Sequence, residues 1–223
     1  MKNKKTYYML ILDKSGSMMS VANKTVEGFN EQVQMIKDLE KKFPEQKIRV
    51  SLTTFNHNVS HDIFLKKPKK LPLLKAALRV NGRSDVQDDN VVSYQPEGMT
   101  ALYDAIGLSV KKLKKEIKKE IKKDKATAIV VILTDGHENS SRLYKYEKIT
   151  YMIKKLEKTG NWTFSYLGAT PDAVEIAGRL NINKHNAMAL KKEDMAISFK
   201  ILDKAFERRL MKKREGKKPE KFL

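Results

Sequence analysis

Short apolar runs alternate with amphipathic segments along almost the whole chain. Several runs have the near-continuous apolar character of strands that are covered on both faces. They are Tyr7–Leu12, Ile48–Phe55, Ala126–Leu133, Trp162–Leu167 and a shorter run near Ala187–Leu190. Val59–Leu65 follows the second run after the turn-like Asn56-His57-Asn58, so we predict that these two strands form a hairpin.

Between these runs, apolar residues recur every three or four positions, the spacing of a helix with one buried face. The predicted helices are Val26–Leu39, Leu102–Ile121, Tyr146–Lys158, Pro171–Leu180 and a last one from about Glu193 to Leu210. Strands separated by helices indicate an α/β fold in three layers, a mostly parallel, doubly wound (Rossmann-like) sheet between helices. In such folds ligands bind beyond the carboxyl ends of the strands, where the chain winding reverses.

Two parts of the chain depart from this alternation. Residues 66–99 are irregular and are punctuated by proline and glycine, with one short helix predicted near Leu73–Leu78. We expect residues 1–190 to form the domain, and residues 191–223 to add a C-terminal helix that packs on it. Beyond this helix, the basic tail at Lys212–Lys221 is expected to fray.

Length and composition limit the class of protein. A chain of 223 residues suits one large α/β domain. It has no cysteine, which excludes disulfides and thiolate metal sites and agrees with a reducing compartment. The first apolar run is too short for a secretory signal, and no run reaches the ~18–20 apolar residues of a membrane span. We therefore expect a cytoplasmic protein.

The net charge of +19 is concentrated in two segments. Residues 109–125 carry nine lysines against three acidic residues, and residues 204–221 carry nine basic residues against three acidic ones. Only eight of the 46 basic residues are arginine, the residue that forks onto phosphate or guanine. Lysine-rich helix faces mostly serve solubility, so binding of nucleic acid or another polyanion through these two segments is the alternative function.

Hydroxyl and carboxylate side chains follow two of the predicted strands. Asp13, Ser15 and Ser17 come directly after the first strand, spaced two apart, so their oxygens can converge in an extended stretch. Thr100 precedes a helix, and Asp135 follows the most apolar strand. Oxygen ligands of this kind suit a hard cation such as Mg²⁺ or Mn²⁺. A site with so little negative charge would leave the cation open to an acidic residue of a partner protein.

These residues resemble the metal-ion-dependent adhesion site of von Willebrand factor type A domains, in particular the small stand-alone domains of bacteria and phages. Three blocks carry the resemblance, which runs from about residue 6 to 190. They are residues 13–18 (DKSGSM), 98–106 (GMTALYDAI) and 133–140 (LTDGHENS). The resemblance implies a six-stranded sheet with one antiparallel edge strand. It also implies that Ser15, Ser17 and Thr100 coordinate the ion directly, while Asp13 and Asp135 hold metal-bound waters.

Other residues near these blocks have candidate supporting roles. Asp104 is a candidate for orienting Thr100, with a favourable charge in the first helical turn as its alternative role. His137 is a candidate neighbour of the primary ligands, and an exposed loop position is its favoured alternative. Gly16, Gly98 and Gly136 are candidates for shaping the loops. Met18 and Met99 are expected to pack. We assign no catalytic residue, because the chain has no His-Glu-x-x-His, no phosphate-cradling Gly-Lys-Ser/Thr loop and no cysteine nucleophile. The predicted function is capture of a protein partner.

Overall fold

The computed structural model describes residues 5–76, 79–80, 83–84, 90–217 and 222–223. In these residues the strands are β1 (Lys5–Asp13), β2 (Ile48–Phe55), β3 (Val59–Lys66), β4 (Leu73–Ala76), β5 (Arg79–Val80), β6 (Arg83–Ser84), β7 (Val91–Tyr94), β8 (Ala126–Thr134), β9 (Trp162–Gly168) and β10 (Ala187–Ala189). The α-helices are α1 (Ala22–Lys42), α2 (Leu102–Lys122), α3 (Tyr146–Glu157), α4 (Ala173–Arg179) and α5 (Met195–Arg214).

Six of the strands form one sheet in the order β10-β9-β8-β1-β2-β3. Every neighbouring pair is parallel except β2 and β3, which form the antiparallel edge. The predicted α/β fold, with a mostly parallel six-stranded sheet, is therefore confirmed. The central strands β1 and β8 are buried almost throughout, which explains why their sequences are apolar at consecutive positions.

Helices cover both faces of the sheet. Helices α1 and α5 pack on one face, where the core includes Val33, Ile36, Phe199 and Leu202. Helices α2, α3 and α4 pack on the other face, with side chains such as Ile106 from α2. Burial of apolar surface stabilises the folded protein by roughly 25 cal/mol per Å². The apolar sides of the helices, buried on both faces of the sheet, therefore keep the three layers together.

The chain winding reverses between β1 and β8. The crossover from β1 leads through α1 to β2 on one side, whereas β8 leads through α3 to β9 on the other side. The connections that follow the carboxyl ends of the adjacent strands β1 and β8 therefore leave in opposite directions, and a crevice lies between them at this edge. Asp13 ends β1 and Thr134 ends β8, so both lie at the crevice.

The prediction of a helix near Leu73–Leu78 is wrong, because Leu73–Ala76 forms the strand β4, which pairs in parallel with β7. Leu74 is buried while Leu73 and Lys75 are exposed, the alternation of a strand. The side chain of Asn30 on α1 also fixes the extended backbone, since its amide accepts from Leu74 N at 2.8 Å and donates to Leu74 O at 2.9 Å. Residues 77 and 78 of the predicted helix lie outside the described residues.

The described part of the C-terminal segment consists of helix α5 and a buried aromatic residue. Helix α5 continues to Arg214, and Phe222 is fully buried in the core under α1 and α5. Phe222 N donates to Asn186 Oδ1 at 2.7 Å, and Phe222 O accepts from Arg208 at 2.8 Å. These contacts hold Phe222 against the domain, and the fraying expected of Lys212–Lys221 stays a prediction. Residues 218–221 of the predicted tail lie outside the described residues.

Candidate metal site

Asp13 is a buried carboxylate fixed from two sides. Its Oδ1 accepts a hydrogen bond from Ser15 N at 2.6 Å, and its Oδ2 accepts one from the Thr134 hydroxyl at 2.5 Å. The first contact comes from its own loop and the second from the end of β8, so the carboxylate joins the two strands of the crevice. Burial raises the pKa of Asp13 to about 6, although the hydrogen bonds from Thr134 and Ser15 oppose the rise.

The predicted hydroxyls and the second carboxylate come together beside Asp13. Ser17 Oγ lies 3.1 Å from Ser15 Oγ and donates to Asp135 Oδ1 at 2.5 Å. A Cβ placed on Gly136 would lie 3.3 Å from Thr100 Oγ1, 3.5 Å from Ser17 Oγ and 3.9 Å from Asp13 Oδ2. The glycine therefore leaves open a small space that is lined by oxygen atoms from two segments, the one at the end of β1 and the loop before α2.

Two glycines allow the loops to approach each other. Gly16 N donates to Gly98 O at 3.0 Å, which ties the loop after β1 to the loop before α2. Gly98 has a φ of +72°, and a Cβ there would lie 2.2 Å from His57 Nδ1. Gly98 is thus required both for its left-handed backbone and for the close approach of His57. Gly16 and Gly98 are two of the three glycines for which a loop-shaping role is predicted.

Thr100 is held by the loop after β8. Thr100 N donates to Asn139 Oδ1 at 2.8 Å, and Thr100 O accepts from Asn139 N at 3.0 Å. The next residue is also fixed, because Ala101 N donates to Asn56 O at the end of β2. The backbone at Thr100 and Ala101 is therefore held by two separate segments of the chain, which restricts the position of the Thr100 hydroxyl.

Asp104 supports this loop rather than Thr100 itself. Its carboxylate accepts from the backbone N–H groups of Arg142, Leu143 and Tyr144 at 2.8, 2.9 and 2.7 Å. The ring of Tyr144 lies against Gly107, one turn further along α2, where a Cβ would come within 2.5 Å of the ring. Asp104 and Gly107 therefore hold the end of the loop against α2.

Glu138 binds the other part of the same loop. Its Oε1 accepts from Ser140 N and Ser141 N at 3.0 and 2.7 Å, and its Oε2 accepts from Tyr103 N at 2.9 Å. The last contact satisfies an N–H group in the first turn of α2, which lacks a partner within the helix. The contacts with Ser140 and Ser141 are local, whereas the contact with Tyr103, 35 residues away in sequence, becomes visible only in the fold.

His137 and Met99 are both exposed beside the site, which agrees with the loop position favoured for His137 and differs from the packing expected of Met99. The side chain of His137 is 63% exposed, and its Nδ1 lies 3.8 Å from Asp172 Oδ2, towards α4. Met18 is fully buried and packs, as predicted. Met99 does not pack, because 52% of it is exposed at the rim of the site, and Met19 is 57% exposed.

Lys192 is a site residue that the sequence did not reveal. It lies in a 3-10 turn (Lys192–Asp194) before α5, and its ammonium donates to the backbone carbonyl of Ser17. Lys192 Nζ also lies 2.7 Å from Asp135 Oδ2, although it lacks the alignment of a hydrogen bond there. Lys192 follows Ser17 by 175 residues, so no local motif marks this contact.

The residues present fit a hard divalent cation. The Asp135 side chain is fully buried, and its Oδ2 accepts no hydrogen bond although a positive charge stands beside it. The described residues hold no cluster of three or more His, Cys, Asp or Glu side chains, so the candidate donors are mainly hydroxyls. An oxygen-only set of this kind matches Mg²⁺ or Mn²⁺ better than a softer metal.

The fold and the geometry together define a class: doubly wound α/β domains with an oxygen-lined candidate cation site at the winding reversal. A family model of the von Willebrand factor type A domain matches residues 9–200. The chain therefore belongs to the von Willebrand factor type A domain family. No curated protein sequence matches it.

Solved structures show the same fold. The vWF domain of the type V pili tip protein Mfa5 from Porphyromonas gingivalis is 9% identical with a TM-score of 0.56, over 94% of this chain and 97% of that one. The ArnB paralog VWA2 from Sulfolobus acidocaldarius is 13% identical with a TM-score of 0.54, over 91% and 46%. Proximal thread matrix protein 1 from the mussel byssus, solved with zinc in its metal-ion-dependent adhesion site (MIDAS) motif, is 11% identical with a TM-score of 0.50. The match covers 90% of this chain and 47% of that one.

This chain spans about half the length of the mussel and Sulfolobus proteins. At these identities the similarity concerns the fold alone. Among the described residues, no helix combines the length and the apolar character needed to cross a membrane.

Proposed function

We propose that this domain is a non-enzymatic protein-binding module that grips an acidic residue of its partner through a divalent cation. The convergence of Asp13, Ser15, Ser17, Thr100 and Asp135 beside Gly136 carries this proposal. Mg²⁺ or Mn²⁺ is the proposed ion. When bound, the ion supplies a positive charge with a coordination position open to a ligand from another molecule.

The hydrogen bonds support different roles for the hydroxyls and the carboxylates. Both oxygens of Asp13 already accept hydrogen bonds from the chain, so Asp13 is better suited to hold a metal-bound water than to coordinate directly. We assign the same role to Asp135. Ser15, Ser17 and Thr100 would then coordinate directly as neutral ligands, which leaves the ion with much of its charge.

An ion coordinated in this way attracts a carboxylate. The exposed side chains of Met19 and Met99 would contact apolar groups next to the partner's Asp or Glu. Catalysis is not proposed, because Ser17 hydrogen-bonds to Asp135 and Ser15 instead of to a histidine that would activate it.

A pull-down from native lysate in Mg²⁺ and in chelator tests this function. We expect at least one protein to be retained only in Mg²⁺, and Asp13→Ala to lose that protein as chelator does. Asp38→Ala is the matched control, because Asp38 is an exposed carboxylate on α1 away from the site. An identical set of bound proteins in all four conditions would refute the proposal.

The alternative function, polyanion binding, rests on the lysine-rich segments. Helix α2 presents exposed lysines such as Lys111, Lys115 and Lys118, but α2 and α5 cover opposite faces of the sheet. Their carboxyl ends nevertheless approach the same end of β1, because Lys5 Nζ donates to Glu120 of α2 and Lys213 Nζ of α5 donates to Thr6 Oγ1 at 2.7 Å. If either segment binds nucleic acid through six to ten phosphate contacts, its affinity should fall roughly 10³–10⁵-fold when the salt concentration rises from 50 to 200 mM.

The cellular setting stays a prediction from the sequence. The three motif blocks suggest the bacterial and phage branch of the family, and the lack of cysteine suggests the cytoplasm. A partner identified in the pull-down would test both, since its own compartment is measurable.

A further inference from the structure

We propose that Lys192 is a built-in competitor of the cation and thereby sets the affinity of the site for metal. This inference rests on the proposed function, because it concerns the same site. The ammonium of Lys192 contacts two parts of that site at once, Asp135 Oδ2 at 2.7 Å and the carbonyl of Ser17.

The ammonium of Lys192 lies at the oxygen atom that a metal ion, or a water bound to it, would contact. Asp135 Oδ1 accepts from Ser17 Oγ at 2.5 Å, so Oδ2 is the oxygen left for a cation or its bound water. Lys192 Nζ stands at that oxygen. A divalent ion a few ångströms away would be repelled by the ammonium, and this repulsion is strong where water is excluded. Metal binding therefore requires the ammonium to leave.

Burial explains why the lysine is present. The side chain of Asp135 is fully buried, and an isolated buried carboxylate is unfavourable without a positive partner. In the metal-free protein Lys192 provides the positive charge. The metal ion and the ammonium of Lys192 thus stabilise the same carboxylate, each when the other is away from it.

The backbone beside Lys192 is well anchored. Lys24 Nζ donates to Glu193 O at 3.1 Å, and Met195 is fully buried. The side chain of Lys192, in contrast, is 35% exposed on a flexible four-carbon stem. The ammonium can therefore swing into solvent by rotation of its side chain, with no change in the surrounding fold.

Calorimetric titration of the whole chain with Mn²⁺ alone tests the inference. We expect K192M, which keeps most of the stem and removes the charge, to bind Mn²⁺ about five- to tenfold more tightly than the wild type, the effect of removing one part-buried competing ion pair. K192R keeps the charge and should stay within about twofold of the wild type. K191M is the matched control, because Lys191 is the adjacent, exposed lysine.

A second measurement covers the metal-free protein. Without metal, K192M should melt at a lower temperature than K191M because Asp135 loses its positive partner, and Mn²⁺ should raise the melting temperature of K192M more than that of the wild type. K192Q is a second neutral variant and should behave like K192M.

The outcomes separate this inference from the proposed function. Equal Mn²⁺ affinities of the wild type and K192M would overturn the role of Lys192 and leave the metal site standing. Tighter Mn²⁺ binding by K192M than by the wild type and K191M would support the inference. Absence of Mn²⁺ binding in both proteins would overturn the metal site, and the competitor with it.

Discussion

Asp104→Asn tests whether the loop after β8 depends on one carboxylate of α2. Asp104 is only 7% exposed and accepts three backbone hydrogen bonds, from Arg142, Leu143 and Tyr144. In the variant, the oxygen that faces Leu143 and Tyr144 is kept as a neutral acceptor. The new amide group faces Arg142 N–H, so that donor loses its partner.

The expected loss of stability follows from these contacts. A hydrogen bond to a charged group contributes roughly 1.5–3 kcal/mol and a neutral one roughly 0.5–1.5 kcal/mol. Loss of one charged bond and weakening of two others should lower the free energy of unfolding by about 3 kcal/mol. For a domain of this size each kcal/mol corresponds to roughly 2–4 °C, so the melting temperature should fall by about 6–12 °C.

Urea unfolding of Asp104→Asn and of Glu116→Gln measures this effect. Glu116 is an exposed acidic residue on the same helix, and its variant should change the free energy of unfolding by less than about 0.5 kcal/mol. Mn²⁺ binding by Asp104→Asn should also weaken, because the loop positions Thr100 through Asn139. A loss below about 1 kcal/mol would refute the view that Asp104 holds the loop.

Three further variants address other parts of the fold. Gly98→Ala should cost about 2 kcal/mol or more through its left-handed φ and its clash with His57, whereas Gly160→Ala, with a similar φ and no atom within 4 Å, should cost only about 1 kcal/mol; equal losses in urea unfolding would rule out the clash. Burial raises the pKa of Asp203 to about 6 from 3.8, so its contribution to stability is complete below pH 3.8 and is lost as the pH rises through about 6. Asp203→Asn should therefore gain about 1–2 kcal/mol over the wild type between pH 4 and pH 7, after allowance for its contact with solvent, and a difference independent of pH would contradict this. Phe222→Ala should lower the free energy of unfolding by about 3–5 kcal/mol, against a small loss for Phe222→Leu, and a loss under 1 kcal/mol would show that the ring does not anchor the chain end.

Apolar periodicity predicted most of the fold because the central strands and the helices bury regular faces. β8 was predicted as Ala126–Leu133 and is Ala126–Thr134, since a strand buried on both faces is apolar at nearly every position. β4 was missed for the opposite reason. Its extended backbone depends on β7 and on the side chain of Asn30, neither of which is visible in a local window of sequence.

The candidate site was predictable to the extent that strands carry it. Asp13 and Asp135 each lie at or just beyond the end of a strand, so the strand assignment located them. Thr134 also carried a signal, as a hydroxyl at the same strand end, but its hydrogen bond to Asp13 needed the register of β1 and β8. Lys192 carried none, because it approaches from a distant turn.

The loops of the site are tied to one another in a way that limits what metal binding can change. Lys14 N donates to Phe55 O, Glu97 N to Lys14 O and Ala101 N to Asn56 O, so the loops after β1 and β2 and the loop before α2 form one connected backbone network. Such a network fixes the oxygen atoms before an ion arrives, which reduces the entropy lost on binding.

In a preformed site of this kind, the side chain of Lys192 is the part with freedom to move. Its stem is flexible and 35% exposed, while the Asp135 side chain that it contacts is fully buried. Differences in metal affinity among variants should therefore follow the charge at residue 192 more than small changes in the loops. A loop variant that keeps its stability should leave Mn²⁺ affinity nearly unchanged, whereas removal of one ammonium should change it several-fold. The oxygen atoms of the site are held rigidly, whereas the ammonium of Lys192 can be displaced. Displacement of this ammonium is therefore the main change that we expect when the metal ion binds.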